Sequence, residues 1–321
     1  MQMIIMAAFI LGLPSCQQGP TPKEPLTDWT RIVAPGRGAF EDAWQPERWP
    51  MGVHPIAGPS GELWMVGVST VWESADGLRW RIVGRLPGPA RLGSASIHHA
   101  SRLWVIGGQT GDTFVSNVWS SADGRSWERG PDPPWSGRRA PALVSFRGWL
   151  WLFGGENANQ LNDVWRSRDG REWEQVMAHG PWSPESQPIP VVFGESLWAL
   201  GGSSWKARDA DVWVSADGRG WERAVKDAPW GPRVFVGALA FDDQIWIIGG
   251  VHPDGRRLND VWSSRDGRDW RQLVAAAPWT RRAGNRTVVY RDALWMFGGK
   301  GEQDDGQSGY ASDVWRLERA R

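Results

Sequence analysis

The chain of 321 residues has one cysteine, two tyrosines and no excess of charge of either sign. A single cysteine excludes an internal disulfide and a metal site built from several thiolates. The 36 basic residues are balanced by 36 acidic ones. That balance argues against nucleic acid as a partner, because proteins that bind it usually carry a basic excess or a basic face.

Long hydrophobic runs are also missing. The apolar segment at residues 3–13 is too short to cross a bilayer as a helix and has the length of a signal-peptide core. It leads into Leu13-Pro14-Ser15-Cys16, which resembles the bacterial lipobox, in which the cysteine is lipidated. We therefore expect a lipoprotein signal peptide at residues 1–15, lipidation of Cys16 and a flexible tether at residues 16–27.

The resemblance to a lipobox implies an exported protein of the bacterial cell envelope. It would be attached to the membrane through the lipid on Cys16 and would face the periplasm or the cell surface. The alternative is an ordinary signal peptide that is cleaved, with Cys16 discarded or unmodified.

Tryptophan, in contrast, is abundant, and a repeat of three motifs explains its 26 occurrences. The first motif is an apolar strand ending in glycine, the second contains Val-Trp, and the third is an Asp-Gly turn followed by tryptophan. We number the repeats as units one to six. The tryptophans of the first motif are Trp64, Trp104, Trp151, Trp198, Trp246 and Trp295; those of the second are Trp72, Trp119, Trp165, Trp213, Trp262 and Trp315; those of the third are Trp80, Trp127, Trp173, Trp221 and Trp270.

Each unit is predicted to form four short strands. In unit three these are residues 140–146, 149–155, 162–168 and 172–177, with a tight Asp169-Gly170 turn before the last. The second strand is apolar on both faces, whereas the third and fourth carry charge. This gradient is typical of a radial sheet with a buried inner part. The sequence predicts an all-β fold, a six-bladed β-propeller of four-stranded antiparallel blades.

The two ends of the chain complement each other. Unit six lacks the third motif, and residues 28–33, which contain Trp29, resemble the missing fourth strand. An N-terminal strand is therefore expected to complete the C-terminal blade, as a closed ring requires. The predicted propeller domain covers residues 28–321 and is expected to be a monomer.

These motifs resemble the kelch-type β-propellers, the superfamily of the galactose oxidase central domain. Unit five shows the whole family pattern, with Arg233, the strand at residues 245–250, Asn259-Asp260-Val261-Trp262 and Trp270. The resemblance covers nearly all of residues 28–317 and implies the fold. It does not imply one activity, because function in such folds is carried by the loops.

Two further resemblances concern chemistry. The hairpins at residues 121–127 and 215–221 look like sialidase Asp-boxes shortened by one residue, and we interpret them as turns in which tryptophan packs beneath Asp-Gly. The copper chemistry of galactose oxidase needs a cysteine cross-linked to tyrosine, and the sole cysteine, Cys16, lies in the export signal. No metal and no cofactor are expected.

The connections from strand four to strand one carry Pro-Trp and arginine, and they emerge on the same face as the connections from strand two to strand three. Aromatic rings and guanidinium groups suit a carbohydrate, a carboxylate or a peptide. Alternatively, each tryptophan packs between blades and each arginine pairs with an aspartate or a carbonyl. The predicted ligand-binding residues are Arg91, Trp135, Arg138, Trp182, Trp230, Arg233, Trp279 and Arg282.

The expected function is that of a non-catalytic lipoprotein that binds a protein or a glycan through this face. The connections from strand two to strand three differ in length, since the one at residues 67–70 is very short and the one at residues 300–312 is long. This difference supports a binding role, because loops carry function in such folds. One enzyme class stays open. Glu185 stands where other units carry arginine, and a sugar mutarotase or epimerase acting on a carboxylated sugar such as sialic acid needs such an acid–base group.

Overall fold

The computed structural model describes residues 28–33, 54–58, 60–184, 187–201, 209–302 and 308–319. Every regular element in these ranges is a β-strand, and all strand pairs are antiparallel. None of these residues forms a helix long and apolar enough to span a membrane. The all-β prediction is confirmed.

Units one to four each form a separate four-stranded sheet in which sequential strands are neighbours, with the hairpin β8–β9 inserted in unit two. The first strand of the described residues, β1 (Thr30–Val33), belongs to a later sheet. Unit one contains β2 (His54–Ala57), β3 (Leu63–Val66), β4 (Thr70–Ser74) and β5 (Arg81–Arg85), and unit two contains β6 (Ala95–His99), β7 (Arg102–Ile106), β8 (Gln109–Thr110), β9 (Thr113–Phe114), β10 (Val118–Ser121) and β11 (Glu128–Arg129). Unit three contains β12 (Ala142–Phe146), β13 (Trp149–Glu156), β14 (Gln160–Ser167) and β15 (Glu174–Met177). Unit four contains β16 (Ile189–Phe193), β17 (Ser196–Leu200), β18 (Val212–Ser215) and β19 (Glu222–Val225).

Unit five pairs in the same order but belongs to a seven-stranded sheet. Its strands are β20 (Gly237–Phe241), β21 (Gln244–Val251), β22 (Arg257–Ser264) and β23 (Arg271–Val274), followed by β24 (Arg282–Ala283). Leu258 of β22 pairs with Arg282 of β24, which in turn pairs with the hairpin of β27 (Lys300–Glu302) and β28 (Ser308–Tyr310). The prediction of six separate four-stranded sheets is therefore corrected to five, because loop strands join unit five to unit six.

The fifth four-stranded sheet is that of unit six. It contains β25 (Arg286–Tyr290), β26 (Ala293–Phe297) and β29 (Val314–Glu318), with β1 as its outer strand. The N-terminal strand pairs antiparallel with β29 and places Arg31 opposite Trp315, as the sequence predicted. The first strands of neighbouring units are also in contact: β2 with β6, β6 with β12, β12 with β16, β16 with β20, β20 with β25 and β25 with β2.

The second strands form the core between adjacent sheets. All eight residues of β21 are buried, for example. The tryptophan of each second strand from unit two onward donates its indole N–H to the carbonyl of the last residue of the first strand, as Trp246 Nε1 does to Phe241 O at 2.8 Å. These tryptophans are therefore buried without losing a hydrogen bond, which would otherwise cost about 1–3 kcal/mol each.

The Asp-Gly turns are built as the sequence predicted, by turn chemistry. In unit three, Ser167 Oγ accepts the amide of Gly170 at 2.8 Å, and Trp173 Nε1 donates to the carbonyl of Gly170 at 3.1 Å. Gly170 has a φ of +68°, and a Cβ there would lie 2.0 Å from the ring of Trp104 in the preceding unit. Only glycine fits this position. The same contact recurs between Gly77 and Trp295, Gly124 and Trp64, Gly218 and Trp151, and Gly267 and Trp198.

The aspartates of these turns should make the fold sensitive to acid. Backbone amides of Arg171 and Glu172 donate to Asp169 and hold the pKa of its carboxyl below the usual value. Desolvation tends to raise the pKa of Asp76, but amide and side-chain hydrogen bonds from Arg79 and other partners outweigh it and lower this pKa to about 2. A depressed folded-state pKa gives stability that is present above the unfolded-state pKa and is lost as the pH falls through the folded value.

We therefore expect the free energy of unfolding in urea to drop steeply below a pH of about 4, where free aspartates start to protonate. An Asp217→Asn variant, which keeps a hydrogen-bond acceptor in the turn but cannot titrate, should show a shallower drop, because the pKa of Asp217 is also lowered, chiefly by the amide of Arg219. Identical pH profiles for the two proteins would contradict this explanation.

Candidate functional site

The connections from strand four to strand one and those from strand two to strand three lie side by side, as predicted. Leu92 pairs with Gln109 and Val234 with Val251 through isolated bridges between the two kinds of connection. Arg139 and Glu156 are joined in the same way, and their side chains form an ion pair at 2.6 Å. We call the surface formed by these connections the loop face.

Three of the four predicted arginines are paired within the protein. Arg138 Nη1 and Nη2 lie 2.6 and 2.9 Å from the two carboxylate oxygens of Asp163, and Nη1 also donates to the carbonyl of Gly154 at 2.9 Å. Trp165 Nε1 donates to the same carboxylate at 2.7 Å. We call this arrangement the Arg–Asp–Trp cluster. It recurs as Arg233–Asp260–Trp262 and Arg282–Asp313–Trp315.

The fourth arginine, Arg91, has no such partner because Asn117 stands at the aspartate position of unit two. Arg91 Nη2 donates to Pro87 O at 2.7 Å. Its Nε and Nη1, and Nε1 of Trp119, are buried with no hydrogen-bond partner among the described residues. Burial lowers the pKa of Arg91. Unit two therefore contains an incomplete Arg–Asp–Trp cluster.

Completing that cluster should stabilise the protein. We expect Asn117→Asp to raise the free energy of unfolding by about 1.5–3 kcal/mol, the usual gain from hydrogen bonds to charged groups. The added carboxylate would accept hydrogen bonds from both Arg91 and Trp119. Urea denaturation at neutral pH measures the difference. In an Arg91→Gln background the same substitution should give little gain; equal stabilisation in both backgrounds would refute the pairing.

The predicted tryptophans are packed between sheets. Trp135, Trp182, Trp230 and Trp279 are all 5% exposed or less. Each meets the tryptophan that directly precedes a fourth strand, nearly edge to face, at centroid distances of 4.4 Å for Trp135 with Trp173, 5.2 Å for Trp182 with Trp221, 5.8 Å for Trp230 with Trp270 and 4.9 Å for Trp279 with Trp29. Trp29 thus takes the position that the third motif fills in the other units.

The eight predicted ligand-binding residues therefore make their described contacts within the protein. This agrees with the structural alternative that the sequence left open, and a ligand-binding role for them stays a prediction. Glu185 and Cys16 lie outside the described residues. Among the described residues, no three His, Cys, Asp or Glu side chains form a group that could hold a metal ion.

The first strands carry one exceptional residue. Arg286 is the only Asp, Glu, Lys or Arg on the six first strands β2, β6, β12, β16, β20 and β25. By strand register, the same position in other units holds Ala95, Ala142, Ile189 and Gly237. The side chain of Arg286 forms no ion pair or hydrogen bond with any other described residue. Desolvation lowers the pKa of its guanidinium to about 10, and the residue is half-buried.

A second exception lies close to it. Phe235 has a φ of +55°, a conformation that costs energy for a bulky side chain, and it is 42% exposed. Its carbonyl accepts the amide of Gly284 at 2.7 Å, two residues before Arg286. The equivalent position holds Gly93 or Ala140 in other units, also with positive φ.

The sequence analysis did not predict Arg286 and Phe235, because its candidate residues were chosen from motifs that recur in several units. Both differ from their counterparts in the other units, and an alignment of the repeats position by position would have revealed them. The recurring arginines and tryptophans have structural contacts, so the exceptions are the stronger candidates for ligand contact.

Comparison with known proteins agrees with this architecture. No protein-family model and no curated protein matches the chain. Among solved structures, it is similar to YjhT, with a TM-score of 0.67 and 13% sequence identity over 84% of this chain and 96% of that chain. The arrangement of four-stranded antiparallel sheets is that of a β-propeller. At this identity the similarity shows the fold alone.

Proposed function

We propose that this chain is a non-catalytic kelch-type propeller that binds a glycan or a protein through its loop face. The observation that carries the proposal is the position of exposed apolar side chains. Three large hydrophobic residues are exposed in the described part of the chain, and two of them, Leu92 and Phe235, lie on the loop face. Function in propellers is carried by such connections, while the sheets supply a rigid support.

The proposal includes a closed ring of six blades. It is supported by the cycle of contacts among the six first strands and by the pairing of β1 with β29. In this interpretation the strands β20 to β23 are the fifth blade, and the shared loop strands join it to the sixth. The first strands then surround an axial channel that opens on the loop face.

The proposal also includes export and a lipid anchor at Cys16, with residues 16–27 as the tether of a propeller at residues 28–321. The lipobox-like sequence supports it. Expressed in a bacterial host, the full chain should label with radioactive palmitate and sediment with membranes. Cys16→Ser should abolish both, and unchanged labelling and sedimentation of the variant would refute the anchor.

Binding through the loop face is tested with two matched substitutions. Leu92 and Ile82 are 51% and 48% exposed, but Leu92 lies on the loop face and Ile82 on β5. The full chain would be screened on an array of neutral and acidic glycans and on immobilised envelope proteins. Leu92→Glu should weaken retention at least about tenfold, as expected when a charge enters a contact surface, while Ile82→Glu should not.

Equal behaviour of these two variants would refute the loop face as the binding surface. No retention of the unmodified chain by any probe would refute the binding function. Both variants must show unchanged melting temperatures. Replacement of Trp230, Arg233 and Trp279 is a poorer test, because these residues are buried and their loss would destabilise the fold.

A sugar mutarotase or epimerase acting on a carboxylated sugar is the second candidate, favoured by the unpaired guanidinium of Arg286. A guanidinium can hold the substrate carboxylate, and Glu185 would move the proton. Anomerisation of N-acetylneuraminate followed by NMR would decide the matter. This candidate requires acceleration by the chain and its loss in Glu185→Gln.

A further inference from the structure

The six first strands offer polar backbone groups as well as side chains. Each of them is the terminal strand of its sheet and is paired on one side only. Their free edges therefore present N–H and C=O groups toward the centre of the arrangement. Their side chains are mostly apolar or small, as in the sequences of β12, β16 and β20. The central space thus combines apolar walls with backbone donors and acceptors.

Arg286 places one positive charge in this space. It stands at the first position of β25, on the loop-face side, because the first strand follows directly from a loop-face connection. None of its nitrogens is among the polar atoms that are sealed from solvent without a partner, so they retain contact with solvent. No described carboxylate lies within ion-pair distance, although 16 other Arg or His side chains of the described chain do have such a partner.

A half-buried cation without a counter-ion attracts an anionic group. A guanidinium binds a carboxylate through two parallel hydrogen bonds, and partial removal from solvent strengthens them. Arg138 illustrates this geometry within the same chain, where both of its terminal nitrogens meet Asp163. Arg286 has the same side chain, and no described carboxylate is paired with it.

The neighbouring groups favour a sugar as the carrier of the carboxylate. Phe235 carries a half-exposed aromatic ring on the loop face, in a strained backbone conformation, and aromatic rings pack against the apolar faces of sugar rings. The free strand edges can exchange hydrogen bonds with hydroxyl groups. A peptide would instead need an accessible edge along which to extend, and the inner edges face one another across the centre.

We propose that Arg286 anchors the carboxylate of a carboxylated sugar at the loop-face end of the central channel, with Phe235 in contact with the sugar ring. This inference rests on the proposed binding function and names its ligand class. Arg286 and Phe235, which interrupt the repeat, are then the specificity-determining pair, and the buried Arg–Asp–Trp clusters hold the surrounding connections in place.

Isothermal titration calorimetry of the full chain tests this inference. The acidic probes are N-acetylneuraminate and glucuronate, and the neutral controls are N-acetylmannosamine and glucose. At least one acidic probe should bind, and its neutral control should bind at least tenfold more weakly. Arg286→Gln should weaken acidic-probe binding at least tenfold, and Arg286→Lys should restore part of it, because the charge remains but the fork geometry is lost. Phe235→Ala should weaken binding severalfold.

Arg125→Gln is the matched control, because Arg125 is exposed in the Asp-Gly turn of unit two, and it should bind as the unmodified chain does. Melting temperatures and circular dichroism verify that each variant is folded. Equal binding by Arg286→Gln, equal binding of acidic and neutral sugars, or no binding of either acidic sugar overturns the inference.

Selective, Arg286-dependent binding of a Glu-rich peptide in place of the sugars would also overturn it, by assigning the carboxylate to another source. These outcomes are separable from failure of the proposed function. If the array detects a ligand that Leu92→Glu weakens but Arg286→Gln does not, the binding function stands and only the anchor is wrong.

Discussion

An Asp313→Asn variant is expected to lose about 3–5 kcal/mol of unfolding free energy, the usual cost of removing one partner from a buried ion pair. Arg282 and Asp313 are only 1% and 3% exposed. Arg282 Nη2 and Trp315 Nε1 donate to Asp313 Oδ2 at 2.9 and 2.8 Å. The substitution keeps the shape of the side chain but leaves the guanidinium buried without its counter-charge. Urea denaturation followed by tryptophan fluorescence measures the loss.

An exposed pair supplies the control for this experiment. Asp132 forms an ion pair with Arg129, and the two side chains are 70% and 45% exposed. Asp132→Asn should therefore change the unfolding free energy by less than about 1 kcal/mol. If Asp313→Asn were as mild as this control, the Arg–Asp–Trp cluster would not be a major source of stability.

A Gly170→Ala variant is expected to lose about 3 kcal/mol, because two costs add. The positive φ of this residue costs an L-amino acid about 1–2 kcal/mol, and overpacking costs about 1–3 kcal/mol. The new methyl group would overlap the ring of Trp104, which is itself buried. Thermal unfolding and near-ultraviolet circular dichroism should show both the loss of stability and a changed tryptophan environment.

Gly148 separates the two costs. Its φ of +72° is similar to that of Gly170, but a Cβ at Gly148 would meet nothing within 4 Å. Gly148→Ala should therefore lose only the backbone contribution of about 1–2 kcal/mol. Equal losses in the two variants would mean that the contact between Gly170 and Trp104 adds nothing to stability.

The sequence predicted best those parts of the fold that depend on the repeat and on local turn chemistry. The Asp169-Gly170 turn, the buried second strands and the pairing of residues 28–33 with the end of the chain follow from local patterns and from the circular offset of the motifs. These features depend on a period of two along a strand and on turn chemistry, which a single sequence displays directly.

The partners of individual side chains could not be predicted in the same way. The pairing of Arg138 with Asp163 joins a residue in the connection before β12 to a residue of β14, and the two are 25 positions apart in the sequence. The sequence motif shows that both residues recur but does not show whether they meet each other or a ligand. The joining of β24 to β22 and β27 was also missed, because it depends on how two neighbouring loops lie together.

The pairing of β1 with β29 has a consequence for how the chain folds. The strand that completes the sheet of unit six is made first and must wait for the last strand to leave the ribosome. Until then β1 has no partner, and unpaired strand edges favour pairing between molecules. Deletion of residues 28–33 should leave the edge of β29 unpaired in the folded protein, and we expect such a variant to associate with other copies of itself. Long-range pairing of this kind also predicts slow refolding from denaturant.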